Sequence, residues 1–250
     1  MKVLRIVFPH KSIIGAGVSG TVDATYLASW LTDGLPGYPA VTSGAMSLTV
    51  APLTPLDVDI VAVCNHNIPA DATITVGGDV TATIPTAAQM PDLVNRNWFV
   101  KLDAVAEDVD ALTLSVTSGD DPIVVGEFYA GLSWTPTNGV KHGRQLESGQ
   151  QFSWEGEYSS LAPYWKGVRK PRRYRIELLL EDAEVEELQL GEIAQRNGNR
   201  PCLVIMDETN NDAMLAVFSF SESTDGGNHQ YAIEIVEIPS VDWMATEAAS

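Results

Sequence analysis

The 250-residue chain has two cysteines, four histidines, and 15 basic residues against 33 acidic ones. Each shortage excludes something. Cys64 and Cys202 are too few and too far apart for a disulfide framework, and they fit a reducing site of synthesis. As lone thiols they read as small buried apolar residues. His10, His66, His142 and His229 form no H-x-x-x-H or H-E-x-x-H pair, and neither cysteine has a near partner, so no zinc site is expected. A net charge of −18 disfavours a duplex-binding protein, because phosphate contacts need positive surface. No apolar run approaches the ~20 residues of a membrane helix. At the start, Lys2 and Arg5 precede apolar residues, but Pro9, His10 and Lys11 interrupt the stretch a secretory signal needs.

What is present suits a folded core: 45% apolar and 19% charged residues. The first half is rich in Val, Thr, Ile and Ala and is broken every ten or so residues by Gly, Pro, Asn or Asp, the rhythm of a β-sandwich or barrel. Thr73-Ile74-Thr75-Val76 alternates, Gly77-Gly78-Asp79 turns the chain, and Val80 to Ile84 resumes the alternation. Leu56 to Cys64 suits a buried strand. Trp98 to Leu102 and Leu112 to Val116 alternate again. Ile123 to Trp134 reads as a long closing strand with Gly126 and Gly131 as bulges or bends.

The second half differs. Tyr174 to Leu180 predicts a strand. Glu181 to Arg196 predicts a helix capped by Asp182 and stopped by Asn197-Gly198, with Val185, Leu188 and Ile193 facing inward and Gly191 weakening it by about 1 kcal/mol. Strands follow at Cys202 to Met206, Met214 to Phe220 and Tyr231 to Ile238, the last two joined by a turn at Thr224 to Asn228. The organisation expected is a sandwich domain over 1–135, a basic, aromatic-rich linker over 136–173, a small β domain with one helix over 174–240, and a tail over 241–250.

Four constellations invite a chemical reading. Gly15-Ala16-Gly17-Val18-Ser19-Gly20 satisfies G-x-G-x-x-G, but Pro9 would break the preceding strand and Val41 to Val50 offers no acid for a ribose. A flexible Gly/Ser loop is expected there, and no cofactor. Cys64 and His66 share a strand face without an acid to orient the histidine. Glu107-Asp108-Asp110 and Asp120-Asp121 fall in predicted loops and lack the Ca²⁺-loop pattern. The fourth is a basic segment. Residues 141–175 hold 8 basic and 3 acidic residues, whereas 1–140 hold 5 and 14 and 176–250 hold 2 and 16. Within it Tyr164, Trp165, Arg169, Lys170, Arg172, Arg173 and Arg175 combine rigid aromatics with Arg forks, as a protein-contact surface does.

Two stretches resemble structural proteins of tailed bacteriophages. Val61 to Ile68, with Asn65-His66-Asn67, followed by Ala72-Thr73-Ile74-Thr75-Val76, is similar to a strand pair of phage minor tail proteins. Tyr174 to Glu237 is similar to the small β domains of tail-tube and tail-tip rings. The resemblance implies a mainly β chain: an N-terminal galactose-binding-like jelly roll, then a smaller β domain with one flanking helix. It implies a non-enzymatic virion protein made in the host cytoplasm. Its partners would be other phage tail proteins, in a homo-oligomeric ring, with no membrane and no specific nucleic acid. The alternative is a carbohydrate-binding module in which Tyr26, Trp30, Tyr38 and Trp98 make a weak glycan contact, though at least half of these read as core aromatics.

Overall fold

A computed structural model describes residues 4–69, 71–86, 97–117, 122–138, 145–146, 172–198, 200–208, 212–225 and 228–238. The fold is mainly β. The chain divides into two compact units, a sandwich unit over Lys11–Ser133 and a helix unit made of Met1–His10 with Trp134–Pro239. The first strand, β1 (Arg5–Ser12), belongs to both and runs straight through Pro9. The break expected at that proline does not occur.

The sandwich unit continues with β2 (Gly17–Gly20), a five-residue 3-10 turn (Ala28–Thr32), β3 (Ala40–Thr42), β4 (Met46–Ala51), β5 (Leu56–His66), β6 (Thr73–Gly78), β7 (Ala82–Ile84), β8 (Asn97–Val109), β9 (Leu112–Thr117) and β10 (Ile123–Trp134). One sheet has the order β2-β4-β9-β6-β7. In the other layer β10 pairs with both β3 and β5, and β5 with β8. These pairings of β3, β5, β8 and β10 are antiparallel, as are those of the five-stranded sheet, and inward residues of both layers make one core. Leu48, Ile74 and Leu114 come from the first sheet; Val61, Val63 and Phe128 from the second. The Thr73–Ile84 hairpin forms as its alternation predicts, with Ile74 opposite Ile84. Strand β8 runs on to Val109, so Glu107 and Asp108 stand in a strand rather than a loop. The register shifts twice opposite Leu56, Val58 and Ile60, and such shifts erase the period-2 pattern that would have marked the strand.

The helix unit holds β11 (Gln145–Leu146), β12 (Arg173–Leu178), α1 (Asp182–Gly198), β13 (Cys202–Asp207), β14 (Asp212–Asp225) and β15 (Asn228–Glu237). The strand order is β11-β12-β15-β14-β13-β1, again antiparallel. Helix α1 buries Glu184, Leu188, Gly191 and Gln195, a stripe at helical spacing. Ile193, expected inside, is 54% exposed. The reason is Gly191: a Cβ there would come within 2.5 Å of the Phe8 ring, so the helix lies with its glycine on that ring. The residue that weakens the helix locally is the one that lets it pack. Its N-terminus is closed by Glu184, whose carboxylate accepts the Glu181 and Thr137 N–H groups at 3.0 and 2.7 Å, rather than by Asp182. Buried Gln195 donates to the Phe218 carbonyl at 3.1 Å and accepts its N–H at 3.0 Å, extending the ladder of β14 with a side-chain amide.

Candidate functional site: an aromatic loop tethered to the sandwich

Residues 21–39 link β2 to β3, and their sequence is short of apolar core residues but carries three large rings. The Tyr26 and Trp30 ring centres lie 6.1 Å apart at 87°, and those of Trp30 and Tyr38 lie 5.4 Å apart at 43°. Such edge and tilted contacts are favourable geometries for aromatic pairs. Tyr26 and Trp30 are half-buried, Tyr38 is 38% exposed, and neighbouring Leu27 is 56% exposed. The three therefore form one continuous patch at the surface.

The backbone beneath the rings is held at many points. Asp23 donates its N–H to Val41 O at 2.8 Å, and its carboxylate accepts the Ser43 N–H at 3.1 Å. The turn then closes through Tyr26 N–H to Asp23 O and Trp30 N–H to Leu27 O. Thr32 locks the end of the 3-10 turn, its hydroxyl donating to Ala16 O and its carbonyl accepting from Gly15 N–H. Asp33 accepts the Leu35 N–H at 2.7 Å, an Asx-type turn that redirects the chain towards Tyr38.

Two buried side chains reach the loop from β5 and β10. Asn65, at φ 51°, donates its amide to the Pro36 carbonyl at 2.6 Å, and its own N–H is accepted by Asn97 at 3.1 Å. Asn is among the few L-residues that take this left-handed backbone readily. Fully buried Glu127 accepts the Gly34 N–H at 3.3 Å. Gly126 is the counterpart of these contacts: a Cβ there would stand 2.7 Å from Pro36 O and 2.9 Å from Asn65 O. It is a point of close backbone approach, not the bulge its position in the strand suggested. Opposite Glu127 on the ladder lies Cys64, whose thiol is pushed well above its usual range by burial and then by the Glu127 charge. Burial does the same to Cys202. Neither thiol is set up as a nucleophile.

Of the four aromatics singled out for sugar contact, Trp98 is not in this patch. It is 7% exposed and packs on His66, with ring centres 4.2 Å apart. In the basic segment, Tyr164, Trp165, Arg169 and Lys170 lie outside the described residues. Arg172 is turned into its own unit, meeting Glu237 at 3.1 Å and Asp212 at 2.7 Å, while its backbone N–H is accepted by Glu237 at 2.9 Å. Burial disfavours its cation, yet Glu237 and then Asp212 outweigh this, and its pKa is raised. Arg173 forms an ion pair with Glu234. Arg175 is exposed and lines a groove of about 330 Å³ with Glu177, Ser221, Ser223 and Gln230.

The glycine motif resolves into strand: Gly17–Gly20 is β2, paired with β4, and Ala28–Thr32 is 3-10 rather than α. There is no α-helix N-terminus there to receive a pyrophosphate. Of the two acidic clusters, Asp120-Asp121 lies outside the described residues, and Asp110 enters a structural turn contact through its backbone. Asp79 accepts the N–H groups of Asp110 and Ala111, both at 2.8 Å, and these bonds hold its carboxyl below the usual range. Among the described residues, no three His, Cys, Asp or Glu side chains gather closely enough to hold a metal. No described helix is long and apolar enough to cross a membrane.

No family model matches this chain, and no curated protein does. Among solved structures it is similar to SpGH29, at 18% identity and a TM-score of 0.40, over 52% of this chain and 29% of that one. The chain thus spans under a third of that protein. It is similar to the lectin domain of lectinolysin complexed with Lewis B antigen, at 12% identity and TM-score 0.38, over 47% of this chain and 93% of that. It is also similar to CpGH89CBM32-4 from Clostridium perfringens, in complex with glcNAc-alpha-1,4-galactose, at 11% identity and TM-score 0.38, over 50% and 93%. These findings correct the expected kinship with phage tail proteins: the solved structures named are sugar-binding domains and a GH29 protein, and none is a tail component. With that kinship go its tail-protein partners and its ring.

Proposed function

We propose that the chain is a non-catalytic sugar-binding protein whose contact surface is the patch of Tyr26, Trp30 and Tyr38. The observation that carries this reading is the pairing of half-buried and exposed rings at the surface with a fixed backbone. The loop is tethered by Asp23, Thr32, Asp33, Asn65 and Glu127, so its rings are presented without an ordering cost at the moment of binding. A pyranose ring offers an apolar C–H face framed by hydroxyls, and Trp and Tyr offer an apolar face with a polar handle at its edge. The geometry disfavours the other common use of three aromatics, a cage for a quaternary ammonium. Centres 5.4 and 6.1 Å apart put the rings in contact with one another, leaving no space between them for a cation. The reading rests on this loop and not on the likenesses to solved structures.

The affinity expected is low. Covering about 150 Å² of ring face at about 25 cal/mol per Å² gives at most about 4 kcal/mol, a Kd in the millimolar range. Saturation-transfer NMR against cellobiose, chitobiose and lactose tests the proposal. Transfer to the C–H protons of at least one sugar, lost in Tyr38→Ala, supports it. No transfer from the folded protein to any neutral sugar at ten millimolar contradicts it.

A further inference from the structure

The platform stands in a segment without a single positive side chain. From Ser12 to Asn65 there is no Lys, Arg or His, while Asp23, Asp33, Asp57 and Asp59 fall within it. Among the described residues, β2, β3 and β10 add none: the 3-10 turn packs on β2 and β3, and β3 pairs with Ile123–Val125 of β10. Strand β5, which reaches the loop through Asn65, ends at His66, buried against Trp98. From β10, Glu127 reaches the loop, and it is an acid. Asp23 precedes Tyr26 by three residues and closes a turn with it; Asp33 follows Trp30 by three and ends the 3-10 turn. Both residues are half-exposed and each stands three positions along the chain from a ring of the platform, and charge is felt over ~8 Å at physiological salt. Of the lysines in this unit, Lys101 is on β8, donating to the Leu102 carbonyl, and Lys11 is on β1. Across Lys11–Ser133 the count is 3 basic residues against 14 acidic ones.

From this placement we infer a ligand class: the platform takes sugars that are uncharged or carry an amino group, and it rejects acidic ones, whether sialylated, uronic or sulfated. The inference rests on the sugar-binding reading and adds a selection rule to it. A carboxylate or sulfate on a stacked sugar is brought near Asp23 and Asp33, with no guanidinium or ammonium among the described residues of β2, β3 and β10 to receive it. Repulsion by two carboxylates at about 8 Å in water amounts to about fivefold in affinity, and more where the stacked sugar displaces solvent. An amino sugar meets the opposite sign.

Matched pairs test it by calorimetry on the whole chain at 0.05 M salt: lactose against 3′-sialyllactose, and cellobiose against cellobiouronic acid. The expected result is binding of the neutral member with the acidic member at least about fivefold weaker, the gap narrowing at 0.5 M salt. In the double variant Asp23→Asn, Asp33→Asn each amide keeps an oxygen to accept the Ser43 or Leu35 N–H, and the acidic-to-neutral ratio rises several-fold. Equal or tighter binding of the acidic sugar overturns the selection rule and leaves the platform standing. Failure of every neutral sugar to bind overturns the platform itself, and the rule with it.

Discussion

The aromatic loop of the sandwich unit and the start of β12 in the helix unit are built in opposite ways from residue types that both suggest contact surfaces. In the loop the side chains of Asp23, Asp33, Asn65 and Glu127 are spent on backbone, and the rings are left at the surface. At β12 the reverse holds: the guanidiniums of Arg172 and Arg173 are spent on Asp212, Glu237 and Glu234 of neighbouring strands. Aromatic or cationic residues in a sequence mark where contact energy is available. What the backbone around them binds decides whether that energy is directed inward or outward.

The sharpest way to break this contrast is at Arg172. Arg172→Ala leaves the nearly buried Glu237 carboxylate without its fork and should destabilise the protein by about 3 kcal/mol, read from denaturant unfolding. Arg172→Lys should recover less than half of that, because one ammonium cannot span Glu237 and Asp212 together. A loss under 1 kcal/mol would place the arginine among solvated surface charges.

A smaller effect is expected on the other side of the comparison. Asn65→Ala removes the donor to the Pro36 carbonyl and puts alanine at a positive φ, at a cost of about 2 kcal/mol. Asn65→Gly keeps the backbone at ease and loses the hydrogen bond alone, about 1 kcal/mol. Both should weaken sugar binding by more than their stability predicts under conditions where the protein stays folded, since the loop they release carries the rings. Equal affinities in wild type and both variants would mean the tether does not position the platform.

The smallest effect is on acidification. Asp79 has its pKa lowered in the fold by the Ala111 and Asp110 N–H groups, so its contribution is present above the ordinary value of 3.8 and is lost as pH falls through the lower folded value. Asp79→Asn should flatten that acid limb of the stability curve and leave the neutral plateau nearly unchanged. An unaltered acid limb in urea melts would show that the turn contact is spent in solvent.

Much of the architecture is legible along the chain. The alternation from Thr73 to Ile84, the apolar run from Leu56 and the span Ile123 to Trp134 all mark strands, because each exposes one face or none. What escapes is set by distant partners. Ile193 fits an inward stripe by spacing alone, and only the meeting of Gly191 with Phe8 turns it outward. The continuation of β8 past Leu102 is hidden by register shifts whose cause is on β5. The platform is a similar case. Tyr26, Trp30 and Tyr38 can be picked out by type, and so can Trp98. That the first three meet while Trp98 is buried on His66 depends on a 3-10 turn and on Asn65 and Glu127, which are up to about a hundred residues away.

The most direct test of the account is calorimetric titration of wild type and Trp30→Ala with the neutral disaccharide that gives the strongest saturation transfer. Trp30 is the ring that touches both others, and its removal should weaken binding at least tenfold while the unfolding midpoint shows the loop's scaffold still in place. Undiminished binding by a folded Trp30→Ala protein would contradict the central claim and send the search for the sugar contact elsewhere on the chain.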